Sequence, residues 1–135
     1  MVDKDVATSR CRRVLVVDDN VEVAHSAALL LRMLGHTVEV AHNGPAALDV
    51  ARTFRPEVIL LDIGLPGMTG YEVARALRAQ PEHRDVALAA VTGLALDEDR
   101  LRAHEAGFDV HLTKPLAPGV LAAFVTAPCS FKEEL

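Results

Sequence analysis

Short apolar runs, most of them closed by a polar residue, recur along this chain. Arg13-Val14-Leu15-Val16-Val17 ends in Asp18-Asp19, and Val58-Ile59-Leu60-Leu61 ends in Asp62. Val86-Ala87-Leu88-Ala89-Ala90-Val91 ends in Thr92, and Asp109-Val110-His111-Leu112-Thr113 ends in Lys114. Runs this short, apolar and partly β-branched predict buried strands. Thr37-Val38-Glu39-Val40-Ala41 alternates instead, as an edge strand does.

The stretches between them carry helical spacing. Asn20 is placed to cap a helix through Val23, Ala24, Ala27, Leu30, Leu31 and Leu34, with Gly35 as its stop. Asn43-Gly44-Pro45 opens a second helix, with Pro45 at a tolerated early position, through Ala47, Leu48, Val50, Ala51 and Phe54, and Arg55-Pro56 ends it. Gly64, Pro66, Gly67 and Gly70 mark the loop after Asp62. Gly70-Tyr71 begins a third helix through Val73, Ala74 and Leu77, ending near Gln80-Pro81. Leu96-Asp97-Glu98-Asp99 starts a fourth, with acids favourably placed in its first turn, and Gly107 stops it. The last helix reads as weak. Ala117 offers no side-chain cap, Pro118-Gly119 delay the start, and only Val120 to Val125 make one or two turns before Pro128. Strand and helix alternate five times, which predicts an α/β fold: a parallel sheet with helices on both faces.

Composition narrows the class. The chain has 135 residues, enough for one domain with a single core. We expect a tail over residues 1–11, a domain over 12–127 and a second tail over 128–135. Without Trp, the core has to be aliphatic and rich in Ala. A net charge of −5 argues against a basic face, so no nucleic-acid partner is expected. No apolar run is long enough for a bilayer and the N-terminus lacks a signal-peptide core, so no membrane partner is expected either. Cys11 and Cys129 have no metal-ligand spacing and read as free thiols in a reducing cytoplasm.

The strand order of polar ends carries the chemistry. Asp18 and Asp19, Asp62, Thr92 and Lys114 close four different strands at the same edge of the sheet. One such acid means little, since acids cap helices there routinely. Three crowded carboxylates repel and need a cation. They are hard oxygen ligands with no His or Cys beside them, which suits Mg²⁺. A lysine point charge and a hydroxyl alongside suit a phosphoryl group, so the set resembles a phosphoryl-transfer site.

With these motifs quoted, the chain over roughly residues 12–127 resembles the receiver domain of two-component response regulators. The residues that carry the likeness are Val16-Val17-Asp18-Asp19-Asn20, Leu61-Asp62-Ile63-Gly64-Leu65-Pro66-Gly67-Met68-Thr69-Gly70, Val91-Thr92-Gly93, and Ala106-Gly107-Phe108-Asp109 through Lys114-Pro115. The resemblance implies a flavodoxin-like, doubly wound five-stranded sheet of order 2-1-3-4-5. It implies that Asp62 is the phosphoacceptor, charged by a histidine kinase or a histidine phosphotransfer protein. Asp19, Asp62 and the Gly64 main-chain carbonyl would bind Mg²⁺ directly, and Asp18 mainly through water. Lys114 would contact the acyl phosphate, and Thr92 would bond a phosphoryl oxygen and move on activation. The Lys114-Pro115 bond would be cis. A downstream protein of unknown identity would read the switch.

The chain departs from that family at several points. The switch position three before the lysine, commonly Tyr or Phe, is His111, whose imidazole could add pH sensitivity. Gly64 and Gly93 leave the site unshielded, and Leu94 is apolar beside it. His25, His36, His42, His83 and His104 lack ligand spacing and read as surface or core-edge residues, none of them a phosphodonor. Arg100, Arg102 and Glu105 read as a solvated helix face. A flavin-binding electron carrier on the same sheet order is excluded, because Asp18-Asp19 would repel the phosphate its first loop must hold. A metal-dependent aspartyl phosphatase is disfavoured, because such enzymes place a second acid two residues on and Gly64 stands there. The receiver is a signalling phosphoacceptor rather than an enzyme on outside substrates. A stand-alone regulator, a relay intermediate and a receiver of a hybrid histidine kinase all remain open.

Overall fold

The computed structural model describes residues 12–93, 97–114 and 117–126. Five parallel strands, β1 (Arg13–Val17), β2 (Thr37–Ala41), β3 (Val58–Asp62), β4 (Ala87–Thr92) and β5 (Val110–Thr113), form one sheet in the order β2-β1-β3-β4-β5. Five helices alternate with them: α1 (Val21–Met33), α2 (Gly44–Phe54), α3 (Gly70–Arg78), α4 (Asp97–Ala106) and α5 (Pro118–Thr126). The tails, Cys11, Cys129, Leu94, Leu96, Pro128 and the Lys114-Pro115 bond lie outside the described residues.

The period of two along each strand splits the core into two layers. Leu15, Val17, Ile59, Leu61, Leu88 and Ala90 face one way and meet Ala47, Ala51, Val73, Leu77, Ala103 and Phe108 of α2, α3, α4 and the turn after α4. Val14, Val16, Leu60, Ala89 and Val91 face the other way and meet Ala24, Ala28 and Leu31 of α1 and Leu121 and Val125 of α5. β3 is buried along its whole length. Covering each of its four aliphatic side chains contributes about 2 kcal/mol, which fixes the strand and, with it, the acid at its end.

The helix starts follow side-chain chemistry. Asn20 and Asn43 accept the Val23 and Ala46 N–H groups and cap α1 and α2. Thr69 and Glu72 form a reciprocal capping box that starts α3, and a short 3₁₀ turn at Pro81–His83 leads out of that helix into β4. Gly35 ends α1 with φ 98°. Among the described residues no helix is long and apolar enough to cross a membrane.

Three expectations change. The last helix is not stunted: it begins at Pro118 and runs nine residues. Proline is tolerated in the first turn because its missing N–H has no partner there, and the Ala117 carbonyl accepts the Leu121 N–H at 3.0 Å. On α1 the apolar positions do not all face inward, for Val23 and Leu34 are exposed. His36 and His83, expected at the surface or the core edge, are buried where strands β2 and β4 begin. Arg100, Arg102 and Glu105 are exposed as expected, yet Arg102 also stacks on Tyr71 of α3 at 4.5 Å, so this face has a structural duty.

Candidate functional site

The parallel strands deliver their C-terminal ends to one edge, and each polar residue there has its own restraint. Asp18 follows β1 directly, its N–H donating to the Ala41 carbonyl at 3.1 Å so that pairing with β2 continues one residue further. Its Oδ1 accepts the Asn20 N–H at 2.9 Å, which turns the chain into α1 and leaves Asp19 exposed. Asp62 closes β3, and the Ile63 N–H donates to the Val91 carbonyl at 3.1 Å, continuing the pairing with β4. The Gly64 N–H donates to Asp62 Oδ1 at 3.0 Å. Thr92 is buried at the end of β4, and its carbonyl accepts the Lys114 N–H at 2.8 Å, which brings the last strand's lysine to the edge.

These restraints bring the acids together. Oxygen atoms of Asp18, Asp19 and Asp62 lie within 4.8 Å of one another. Lys114 Nζ sits 3.4 Å from Asp18 Oδ2 and 3.4 Å from Asp62 Oδ2, bridging the two buried acids. Among the described residues, three carboxylates thus face one ammonium, two negative charges in excess, and the candidate ligands are all oxygens. That donor set and charge fit a hard divalent cation such as Mg²⁺.

Electrostatics show the same imbalance. Burial raises the Asp62 carboxyl above its ordinary range; the Gly64 N–H and Lys114 pull it down, the Asp18 charge pushes it up, and the net direction is upward. Burial alone would lower Lys114, but Asp62 and Asp18 together outweigh it and leave the lysine raised. His111 lies half-buried on β5 opposite Ala90, three residues before Lys114. An apolar cleft of about 820 Å³ opens beside the acids between α1 and α5, lined by Val16, Val23, Ala27, Leu30, Val91 and Leu121.

Sequence reasoning missed two positions. Gly70 reads as a loop break, but a Cβ there would stand 2.7 Å from the Asp62 carbonyl oxygen and 2.7 Å from Ile63 Cα. Its absence lets the start of α3 press against the backbone that carries Asp62. The cluster of glycines around it hinted at a close approach without showing to what. His42 is the other: its Nδ1 lies 3.0 Å from the Asp18 carbonyl oxygen, a contact across 24 residues that no local pattern reveals.

The model of the response regulator receiver domain matches residues 14–126. The chain belongs to that family. It is therefore a signalling module of two-component systems, as the motifs implied. The DNA-binding response regulator MtrA of Mycobacterium tuberculosis is 39% identical over 116 residues, 86% of this chain and 50% of MtrA. The response regulator MprA of Mycobacterium avium is 36% identical over 115 residues, 85% of this chain and 50% of MprA. The chain thus spans about half the length of the curated relatives it matches. Among solved structures, the Vibrio cholerae chemotaxis protein CheY4 superposes with a TM-score of 0.82 at 30% identity, covering 85% of this chain and 96% of CheY4. The receiver domain of a histidine kinase from Syntrophus aciditrophicus superposes with a TM-score of 0.81 at 30% identity, covering 93% and 95% of the two chains.

These relatives overturn the expectation that nucleic acid has no part. MtrA binds DNA by name, and the acidic balance used against such a partner is counted over a stretch matching only half of it. Net charge reports on the surface of the domain it is counted over, and it cannot speak for a protein's other half.

Proposed function

We propose that Asp62 accepts a phosphoryl group from a phosphohistidine of a kinase or phosphotransfer protein. The observation that carries this is the buried Asp62 carboxylate, 3.4 Å from Lys114 and clustered with Asp18 and Asp19. An Asp62 oxygen attacks phosphorus, the phosphorus–nitrogen bond of the donor breaks, and the departing imidazole keeps the electron pair and takes up a proton. Lys114 stabilises negative charge on the phosphoryl oxygens, and the Thr92 hydroxyl binds one of them. Asp19, Asp62 and the Gly64 carbonyl would hold Mg²⁺, with Asp18 acting mainly through water. When bound, Mg²⁺ supplies neutralisation of the charge that gathers on the transferring group. Gly64 has no side chain to screen Asp62, so water reaches the acyl phosphate and the domain assists its own dephosphorylation.

In this reading the phosphoryl group draws Thr92 inward and rearranges α4 and His111, which changes what the domain binds. The likeness to MtrA favours control of DNA binding as the output, in a cytoplasmic setting. The likeness to the Syntrophus kinase receiver supports a second reading, a receiver serving a hybrid kinase. Labelling with acetyl phosphate and Mg²⁺, read by intact mass and acid-labile phosphate, should mark the wild type and leave Asp62→Asn unmarked. Equal labelling of the two would sink the proposal. Beryllofluoride should shift NMR signals of Thr92, α4 and His111; shifts confined to the loops of Asp18, Asp19 and Asp62 would refute the switching step.

A further inference from the structure

Two histidines stand beside the acidic cluster without belonging to it. His25 is exposed on α1, and His42 is half-buried in the loop between β2 and α2. Their ring centroids are 6.1 Å apart with the planes at 61°. His42 Nδ1 is 3.0 Å from the Asp18 main-chain oxygen. A carbonyl oxygen can only accept, so Nδ1 carries the proton, and in the neutral ring this leaves the lone pair on Nε2. A ring held this way, by an Nδ1–H bond to a backbone carbonyl, is in the state in which imidazole ligates metals.

The separation fits a shared ion. A metal–nitrogen bond of about 2.1 Å places each ring centroid about 3.2 Å from the ion, so two rings on one ion lie at most about 6.4 Å apart, and about 5.2 Å at the tetrahedral angle. The observed 6.1 Å lies inside that limit. Rotation of the exposed His25 ring closes the remainder. Imidazole pairs select zinc, nickel and copper over magnesium, whereas the neighbouring carboxylates have the opposite preference.

We propose that His25 and His42 form a second metal site, for a divalent transition ion of the zinc, nickel and copper class, with water completing the coordination. An ion there ties α1 to the loop after β2, next to the backbone of Asp18. It is a different ion on different atoms from the Mg²⁺ of the acidic cluster, so the two can be occupied together.

The test is a Zn²⁺ titration of the full chain carrying Cys11→Ser and Cys129→Ser, with Mg²⁺ saturating. Calorimetry gives the affinity, and ¹⁵N spectra of the imidazoles identify the ligands. The Nε2 signals of His25 and His42 should move on adding Zn²⁺. His25→Ala and His42→Ala should each weaken binding tenfold or more, while Asp62→Asn keeps it within twofold. His25→Ala removes an exposed side chain and leaves the His42 bond to Asp18 untouched, so folding does not confound it. Three results would overturn the site: unchanged affinity in either histidine variant, shifts confined to His36, His83, His104 or His111, or tenfold loss in Asp62→Asn alone.

Discussion

The two edges of the sheet solve the same problem in opposite ways. Five strands begin at one edge and end at the other, and polar groups collect at both. Where the strands end, Asp18, Asp19 and Asp62 share one lysine and remain short of positive charge. Where they begin, Arg78 and Asp109 tie the connections together, although His36 Nε2 and both ring nitrogens of His83 lie buried there without a hydrogen bond among the described residues. Arg78 alone donates to the carbonyls of Gly107, His83, Arg84 and Val86 and to Asp109 Oδ2, all within 3.1 Å. Asp109 Oδ2 accepts the Leu88 N–H as well, so it joins β4 to the start of β5. Nearby, the Arg12 N–H donates to His36 Nδ1 at 3.1 Å. Burial, and next the Arg12 guanidinium, holds His36 below its ordinary range, so it sits there neutral. Satisfied polar groups stabilise a fold, while unsatisfied charge stores binding capacity. One edge holds the domain together, and the other is kept electrostatically unfinished.

The largest effect that tests this contrast is expected at the tied edge. Arg78→Ala removes its hydrogen bonds to four carbonyls and takes the guanidinium away from Asp109, 13% exposed. Losing this partly buried charge pair together with the carbonyl hydrogen bonds costs about 3 kcal/mol. Chemical denaturation should show that loss, and labelling of the remaining folded protein by acetyl phosphate should continue. Unchanged stability would break the comparison. A smaller loss is expected at the site edge from Gly70→Ala, where the added methyl meets backbone at 2.7 Å. Overpacking of this kind costs roughly 1–3 kcal/mol. Here, unlike Arg78→Ala, phosphorylation of the folded protein should slow, because the displaced backbone carries Asp62. A normal labelling rate would remove Gly70 from the positioning of the acceptor.

The contrast also explains what the sequence made legible. The site edge could be read because four of the strands run from apolar to polar, as in Val14 to Val17 then Asp18 and Val58 to Leu61 then Asp62. Parallel order places those ends together, so local pattern and topology sufficed to gather the acids with Thr92 and Lys114. The tied edge has no such pattern. Arg78 and Asp109 are 31 residues apart, and nothing local pairs them. His36 and His83 read as surface or core-edge residues because they lie in connections, yet both are buried. Pro118-Gly119 read as a delay because proline breaks helices in their interior, whereas in the first turn it starts one. The Thr69-x-x-Glu72 capping box stood in the sequence, overlooked beside the glycines around it.

A third prediction turns on pH. The Asp62 carboxyl is raised above 3.8, chiefly by burial. A raised acid holds its proton more tightly folded than unfolded. Its contribution to stability is therefore complete below the unfolded value and lost as pH rises through the folded one. Asp62→Asn carries no such loss. Without divalent cations it should match the wild type in strong acid and exceed it at neutral pH. Denaturation midpoints at several pH values check this. A variant less stable than wild type at neutral pH would mean that the Lys114 bridge outweighs the strain of burying the acid, and the site edge would then be as settled as the other.

The smallest expected effect lies at the tied edge and runs against it. Arg55 ends α2 with φ 55° and ψ 61°, the one positive-φ residue other than glycine among the described residues. A left-handed conformation costs a side-chain-bearing residue about 1 kcal/mol, and glycine escapes it. What Arg55 contributes to the edge is its carbonyl, which accepts Arg13 Nε at 2.7 Å, and glycine keeps that carbonyl. Arg55→Gly should therefore raise stability by about 0.5–1 kcal/mol. A second readout separates this from a general effect. Burial lowers His83 most, Glu82 raises it, and the Arg55 charge lowers it further. Removing that charge should move the His83 titration upward in NMR, while signals at Asp18 and Asp62 stay put. A loss of stability instead would show that the Arg55 side chain, and not only its backbone, belongs to the network that ties this edge.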